Sequence, residues 1–365
     1  MKQSKKKKIL LLAVCHPDAI GGQAACARML LGNMGSAEWM PVSFPLPGQY
    51  KSFMRLVASI KMLLKCFWIC VTKKTEVVHV LTACSRSALF EKLIFIRVLR
   101  LTGVKTILNF QGALDYYHAG FSKREKRFVK KSFDKIDVLL CLHDGMKKFI
   151  VEEIGMSEGK ISVIPNAVMI EPPIEKVESN NGVVRLVYFG WIVCSKGLDV
   201  LIQACEKLVK IHGRKNFSID ITGPEVEKGL IGKLTSMSRE KGVDQFINFH
   251  PPVFGERKNQ VFAATDIFVF PTRMEGFPFV LLEAMQAGLP VVSTNIAPIN
   301  LVIKNGANGM LFEKDNAADF ASQMNVLMND ENKRKAMGLA ARKHVEENYN
   351  VKKIIERYEE LYSEI

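Results

Sequence analysis

Short apolar runs of strand length alternate along this chain with segments of helical period. In the first half, Ile9 to Cys15, Val77 to Val80, Val104 to Phe110, Ile136 to Leu142 and Ile161 to Asn166 read as strands. Helical spacing runs from Ala24 to Leu31 and over residues 51–71, and Ser122 with Glu125 fits a capping box that opens another helix. In the second half, Val184 to Phe189, Phe217 to Gly223, Phe246 to Phe249, Asp266 to Phe270, Leu289 to Thr294 and Leu311-Phe312 read as strands. Helices are predicted from Leu198 to about Ile211, from Phe279 to Gln286 and from Val351 to Glu364. Strand regularly followed by helix predicts an α/β architecture with parallel sheets. Glu171-Pro172-Pro173 through Asn180-Asn181-Gly182 reads as a linker between two such units.

Length agrees with that division, since 365 residues suffice for two domains of ordinary size. With 48% hydrophobic and 24% charged residues the chain is globular rather than disordered. Eight scattered cysteines without a C-x-x-C pair imply a reduced, cytoplasmic protein. Lys5 to Lys8 before Ile9 to Cys15 imitates a signal peptide. Its apolar core is short and no small-x-small site follows, so the first buried strand is the better reading. Charge is uneven: residues 1–170 carry a net +15, and residues 171–365 a net −1. A basic first half is what an anionic partner surface requires.

The chemistry concentrates at residues 266–295, read as strand, loop, helix, strand. Pro278 suits the first helical position and Gly288 the cap beyond the helix end. A helix start leaves bare N–H groups that favour a phosphate, and Gly276 lets a ligand approach the backbone. Glu275 and Glu283 flank this position, eight residues apart. Carboxylates would repel a diphosphate, so they should face hydrogen-bond donors, and sugar hydroxyls fit. A phosphate with hydroxyls on either side describes a nucleotide sugar.

Glu275-Gly276-Phe277-Pro278, then Leu282-Glu283-Ala284-Met285 and Gly288-Leu289-Pro290-Val291-Val292, closely resembles the E-x7-E signature of family-4 retaining glycosyltransferases of GT-B fold. The resemblance implies two Rossmann-like, doubly wound domains facing each other across a cleft. These would be an acceptor-facing domain at 1–170, a linker at 171–183, a nucleotide-sugar domain at 184–347, and a last helix at 348–365 crossing back. It implies transfer of a hexose-type sugar from a nucleotide-diphosphate sugar to an acceptor hydroxyl, with retention and without a metal or other cofactor. Lys196, before Gly197, matches the family's diphosphate lysine. Glu275 would hold donor-sugar hydroxyls and Glu283 the ribose. Gly276, Phe277, Pro278 and Leu282 complete that part of the donor site, and Gly21 and Gly22 match a double glycine near the donor. His250 to Phe254 corresponds to a loop near the base, and Ile164-Pro165-Asn166 to a family hallmark closing the first domain.

Two positions depart from the family pattern. Gln111 stands where many relatives have histidine, so it cannot take a proton, although its carbonyl could steady positive charge on the sugar. His118 and His143 are conceivable substitutes, but single histidines more often serve packing. Trp191 occupies a position that is usually arginine, removing one cation and its forked donors. Arg273 is the candidate to compensate. The implied mechanism, in which the leaving phosphate oxygen accepts the acceptor's proton, tolerates Gln111.

The basic half points to the acceptor. Lys51, Arg55, Lys61 and Lys65 share one arc of the 51–71 helix, with Phe53, Leu56, Ile60, Leu64 and Phe67 opposite. That pattern fits a helix packed on its own domain, or one lying on a membrane surface. Lys123, Arg124, Lys126, Arg127, Lys130, Lys131 and Lys135 crowd the helix after Ser122. Together they suggest a lipid-linked glycan acceptor in cell-surface polysaccharide synthesis, at an anionic, cytoplasmic membrane face. Nucleic acid is not expected, because no helix-turn-helix, RNP-like or zinc motif accompanies the charge. The alternatives are a nucleotide-sugar 2-epimerase of the same architecture and a non-catalytic relative acting as a membrane scaffold.

Overall fold

The computed structural model describes residues 6–16, 19–45, 52–177 and 182–365. Lys5 of the lysine run, Pro17 and Asp18 of the first turn, Lys51 of the basic arc and Asn180 and Asn181 of the linker lie outside the described residues. Contacts divide the chain into two units, Met1–Ala167 with Val351–Ile365, and Val168–Asn350.

In the first unit strand and helix alternate: β1 (Lys7–Ala13), α1 (Gly22–Asn33), β2 (Ala37–Ser43), α2 (Ser52–Thr72), β3 (Val77–Thr82), α3 (Arg86–Leu99), β4 (Lys105–Phe110), α4 (Leu114–Ala119), α5 (Lys123–Phe133), β5 (Val138–Cys141), α6 (Asp144–Phe149) and β6 (Ile161–Val163). The described strands form one parallel sheet in the order β2-β1-β3-β4-β5-β6. Ile9 to Ala13 are fully buried, as a central parallel strand covered on both faces must be. The sequence pattern does not reveal β2, an edge strand interrupted by Pro41 and paired only with β1.

In the second unit β7 (Val184–Phe189), α7 (Leu198–Lys210), β8 (Phe217–Thr222), α8 (Leu230–Glu240), β9 (Ile247–His250), α9 (Glu256–Ala263), β10 (Ile267–Phe270), α10 (Phe279–Gln286), β11 (Val291–Thr294), α11 (Ile299–Val302), β12 (Met310–Phe312), α12 (Ala317–Asn329) and α13 (Glu331–Asn348) follow in turn. Its described strands are parallel, in the order β12-β11-β10-β7-β8-β9. Both units are thus Rossmann-like and doubly wound. The stretch 171–177, read as linker, is fixed to this unit. The Glu171 carbonyl accepts from Gln286 and Arg342, the Val177 amide donates to Ala263, and Lys176 donates to the carbonyls of Phe262 and Thr265.

The last helix, α14 (Val351–Glu364), completes the first unit. Its Tyr358 and Tyr362 are buried against β3 and β4, where the Asn109 amide donates to the Tyr358 hydroxyl at 3.0 Å and His79 Nδ1 pairs with the Tyr362 hydroxyl. His79 is wholly buried, and burial lowers its pKa from the ordinary 6.5 to about 3. Between those values the unfolded chain holds a proton that the folded chain rejects. Its effect on stability is therefore nil above pH 6.5, and stability falls as the pH drops from there toward 3. The expected slope approaches about 1.4 kcal/mol per pH unit. Urea unfolding at pH 7, 6 and 5 should show His79→Gln flatter than the parent by about one proton, and parallel profiles would contradict the assignment.

Of the two readings of the 51–71 helix, the one that packs its phenylalanine arc on the domain does not hold. The 51–71 segment is helical, but Phe53, Leu56, Ile60 and Leu64 face outward and only Phe67 of that arc is half-buried. The buried face carries Met62, Cys66 and Cys70 instead, while Ser59 and Arg55 reach Glu91 of α3. Small or flexible side chains let α2 lie close on its unit, and its bulkiest residues are left outside.

Candidate functional site

In the second sheet β7 has β8 on one side and β10 on the other, so the chain reverses direction across the sheet between β7 and β10. Loops at the carboxyl ends of such neighbours diverge and leave a crevice. The loop after β7 runs from Gly190 to Gly197 and the loop after β10 from Pro271 to Pro278. Nearly all the second-half residues singled out in the sequence stand on these loops or on α10.

The β7 loop is pinned by backbone approach. A Cβ on Gly223, at the end of β8, would stand 1.8 Å from the Gly190 carbonyl oxygen. The Ile192 amide donates to the Pro224 carbonyl and the Val226 amide to the Ile192 carbonyl, and the Tyr188 hydroxyl donates to the Trp191 carbonyl. A single turn at Cys194–Lys196 then aims the Lys196 side chain at the β10 loop. Its ammonium meets Glu275 Oε1 at 2.5 Å and lies 5.8 Å from the Phe270 ring centroid. The pair is largely enclosed, with side-chain exposures of 18% and 11%. Glu283, one turn into α10, pairs with Lys258 of α9, whose ammonium lies over the rings of Phe189 and Phe262.

Glu275 and Glu283 are therefore each matched by a lysine, and neither pairing was read from the sequence. Lys258 carries no motif in the sequence, sitting in the unremarkable run Glu256-Arg257-Lys258; only the packing of α9 beside α10 and β7 reveals it. Two ammonium groups and two carboxylates give acceptors for hydroxyls and cations for phosphate. At the mouth of α10 Pro278 is the cap rather than the first helical residue, with ψ near 117°. Pro278 offers no side-chain cap, and the N–H groups of Phe279, Val280 and Leu281 have no intrahelical acceptor. Gly288 ends α10 in the left-handed region, and bonds from Gly288 and Leu289 back to Met285 and Ala284 close the helix.

Three expectations change. Arg273 is not a spare cation. It holds Asp199 through two bonds of 2.8 and 2.7 Å, Asp315 at 2.6 Å and the Cys194 carbonyl at 2.6 Å, and these carboxylates raise its already high pKa. Its five N–H donors are largely consumed in fastening the β7 loop to α7, so it positions Lys196 instead of replacing the absent arginine. Leu282 is fully buried in the core and offers no side-chain surface. Phe277 is likewise buried, against the Tyr349 ring, whereas Trp191 is 40% exposed. His250 is exposed and bonds Asp220 at 2.9 Å at the ends of β9 and β8.

In the first unit Gly21 caps α1 with φ near 115°, and a Cβ on Gly22 would stand 3.9 Å from Gln111 Oε1. The ends of β1 and β4 thus bring the double glycine and Gln111 together. Gln111 Nε2 donates to Asn109 Oδ1 at 3.1 Å, while its Oε1 is buried without a hydrogen-bond partner among the described residues. His118 packs between the Phe121 and Phe149 rings, and His143 caps α6 through Nδ1, which accepts from the Met146 amide. Burial lowers the pKa of both. They serve packing and capping, and neither stands in for a histidine at position 111.

Residues 170–344 match the family model of group 1 glycosyl transferases. A D-inositol 3-phosphate glycosyltransferase of Nocardia farcinica is 29% identical over 161 residues, covering 44% of this chain and 36% of that protein. The chain thus spans little more than a third of that relative. The Escherichia coli UDP-Gal:alpha-D-GlcNAc-diphosphoundecaprenol alpha-1,3-galactosyltransferase is 23% identical over 323 residues, covering 84% of this chain and 80% of the relative. Among solved structures, Anabaena HepE in complex with UDP superposes with a TM-score of 0.77 at 15% identity, covering 99% of this chain and 100% of that one.

Proposed function

We propose that this chain, which carries a group 1 glycosyl transferase domain over residues 170–344, moves a hexose-type sugar from a nucleotide-diphosphate sugar to an acceptor hydroxyl with retention of configuration. The observation that carries this reading is the pair of lysine–glutamate couples, Lys196–Glu275 and Lys258–Glu283, on the loops and helices that meet at the β7–β10 crevice. Glu283 accepts hydrogen bonds from the ribose hydroxyls and Glu275 from the sugar. Lys196, the uncapped start of α10 and Gly276 take the diphosphate, and Lys258 supplies the cation that Trp191 does not.

In the reaction the bond from the anomeric carbon to the phosphate oxygen breaks as the acceptor oxygen attaches on the same face. The acceptor's proton passes to the departing phosphate oxygen. Lysine ammonium groups and helix N–H groups stabilise the charge that grows on the diphosphate, so no metal or other cofactor is required. Gln111 Oε1, a buried acceptor without a partner among the described residues, steadies positive charge on the sugar. The acceptor proposed is a lipid-linked glycan of cell-surface polysaccharide synthesis, met at the cytoplasmic face of a membrane. The name of the Escherichia coli relative and the basic first half support this.

A panel of UDP-, GDP- and ADP-sugars, read by thermal shift and by NMR of the product anomer, tests the reading. Stabilisation by one nucleotide series and an axial product linkage are expected. Isomerised or hydrolysed donor without any acceptor would point to an epimerase, and no stabilisation by any donor to a scaffold. Within the site, Glu283→Gln removes charge but keeps shape, and should weaken nucleotide-diphosphate binding by about 1.5–3 kcal/mol. Glu275→Gln should leave that affinity within about threefold while lowering turnover about a hundredfold, since of the donor it contacts only the sugar and Lys196 keeps a hydrogen-bond acceptor. Equal small effects of both changes, by calorimetry and turnover, would overturn the assignment.

A further inference from the structure

Among the described residues the outward face of α2 has no partner in its own unit. Phe53, Leu56, Ile60, Leu64, Trp68 and Val71 are each between 51% and 77% exposed. At 100° per residue they fall within an arc of about 120° and form one stripe along the helix. On this 21-residue helix the stripe from Phe53 to Val71 is about 27 Å long. Six large apolar side chains in a row are far more than the scattered exposed residues of an ordinary surface.

The charge around the stripe indicates what covers it. Helix α2 contains no acidic residue, and exposed Lys61 and Lys65 border the stripe on one side. Helix α3 joins α2 to the basic α5. Ser59 of α2 bonds Glu91 at 2.6 Å, and on the α5 side Phe90 stacks on Phe128, Arg97 lies 4.8 Å over the same ring, and Arg86 pairs with Glu125. The three helices therefore form one layer, whose α5 carries exposed Lys123, Arg124, Lys126, Arg127, Lys130 and Lys131. No described helix is long and apolar enough to cross a bilayer, and α2 in particular is interrupted by Arg55, Lys61 and Lys65.

We propose that α2 lies in the plane of a lipid bilayer, with this stripe among the acyl chains and Lys61 and Lys65 among anionic headgroups. A tryptophan on the stripe suits the boundary between headgroups and hydrocarbon. The contact differs in kind from attraction of basic residues alone, because the apolar part persists in salt whereas the lysine part is screened. It deepens the membrane-facing side of the function proposed above and rests on the α2 surface, so nucleotide-sugar binding is measured apart from it.

The test uses the full chain with vesicles of phosphatidylcholine, with and without phosphatidylglycerol, at low and high salt. Trp68 is the native reporter: its emission should shift to the blue on binding and be quenched by brominated acyl chains, and Trp68→Phe should lose both signals. Ile60→Asp and Leu64→Asp alter exposed positions and should reduce vesicle partitioning about tenfold or more, with melting temperature and donor affinity unchanged. Lys61→Glu with Lys65→Glu should weaken binding to anionic vesicles only. Partitioning indifferent to the stripe variants, or abolished entirely by salt, would overturn the insertion while leaving a looser electrostatic contact. A parent that ignores vesicles and forms a dimer dissolved by Ile60→Asp would assign the stripe to a second copy of this chain. Loss of donor binding in the unaltered chain would instead count against the proposed transferase reaction and leave the stripe untouched.

Discussion

Lys196→Ala is expected to lower kcat/KM about a thousandfold or more and to weaken the nucleotide diphosphate until calorimetry barely detects it. In the proposed reaction the side chain has two tasks. It forms a charge-assisted bond to a phosphate oxygen in the ground state, worth about 1.5–3 kcal/mol. It also meets charge that grows as the phosphate departs, where removing one positioned donor costs about a hundred- to a thousandfold in rate. Two features of this chain enlarge the loss. Trp191 leaves the β7 loop without a second cation, and Arg273 cannot help because Asp199 and Asp315 occupy it. Lys196→Arg should recover part of the binding, Lys258→Ala should have a smaller effect, and Trp191→Arg should tighten the diphosphate or leave it unchanged. Alanine also leaves Glu275 enclosed without its ammonium partner, so circular dichroism must accompany the kinetics. Donor affinity within about threefold of the parent in a folded Lys196→Ala variant would place the phosphate elsewhere.

Local signals in the sequence were enough to find the centre of the second unit. Strand β10, its uncapped helix and the Gly288 stop are contiguous, and each is dictated by neighbours a few residues away. The capping box of Ser122 and Glu125 was legible for the same reason. Where partners are distant the sequence was silent. Arg273 was visible as a cation, but the carboxylates that consume it lie 74 and 42 residues away. Lys258 finds Glu283 only because α9 packs beside α10. For α2 the periodicity was legible, but which of its faces packs on the unit was not. A helix with apolar residues on more than one face has two candidate packing surfaces, and the hydrophobicity of Phe53, Ile60 and Leu64 favours the one that is in fact exposed. What decides is the fit of Met62, Cys66 and Cys70 to the surface beneath, which belongs to tertiary structure.

Gly197→Ala is expected to cost about 2–5 kcal/mol of stability and to disable the site at the same time. Gly197 follows Lys196 with φ near +67° and ψ near 24°, and it caps α7 in this left-handed conformation. Its missing side chain is what lets the two loops meet: a Cβ would stand 2.0 Å from the Pro271 carbonyl oxygen and 3.0 Å from its carbon. Both are backbone atoms at the exit of β10, so no side chain can rotate away, and the β10 loop itself must retreat. That loop carries Glu275, four residues on, so the strain acts directly on the Lys196–Glu275 pair. Gly213 is the internal control. It has almost the same φ, +66°, but nothing lies within 4 Å of a Cβ built there. Gly213→Ala should therefore lose only the left-handed penalty of about 1–2 kcal/mol and keep donor binding intact. Urea unfolding of both variants separates backbone conformation from close approach, and calorimetry with the nucleotide diphosphate reports the site. Equal losses in the two variants would mean that the β7 and β10 loops yield freely, and that the spacing of lysine and glutamate does not depend on this glycine.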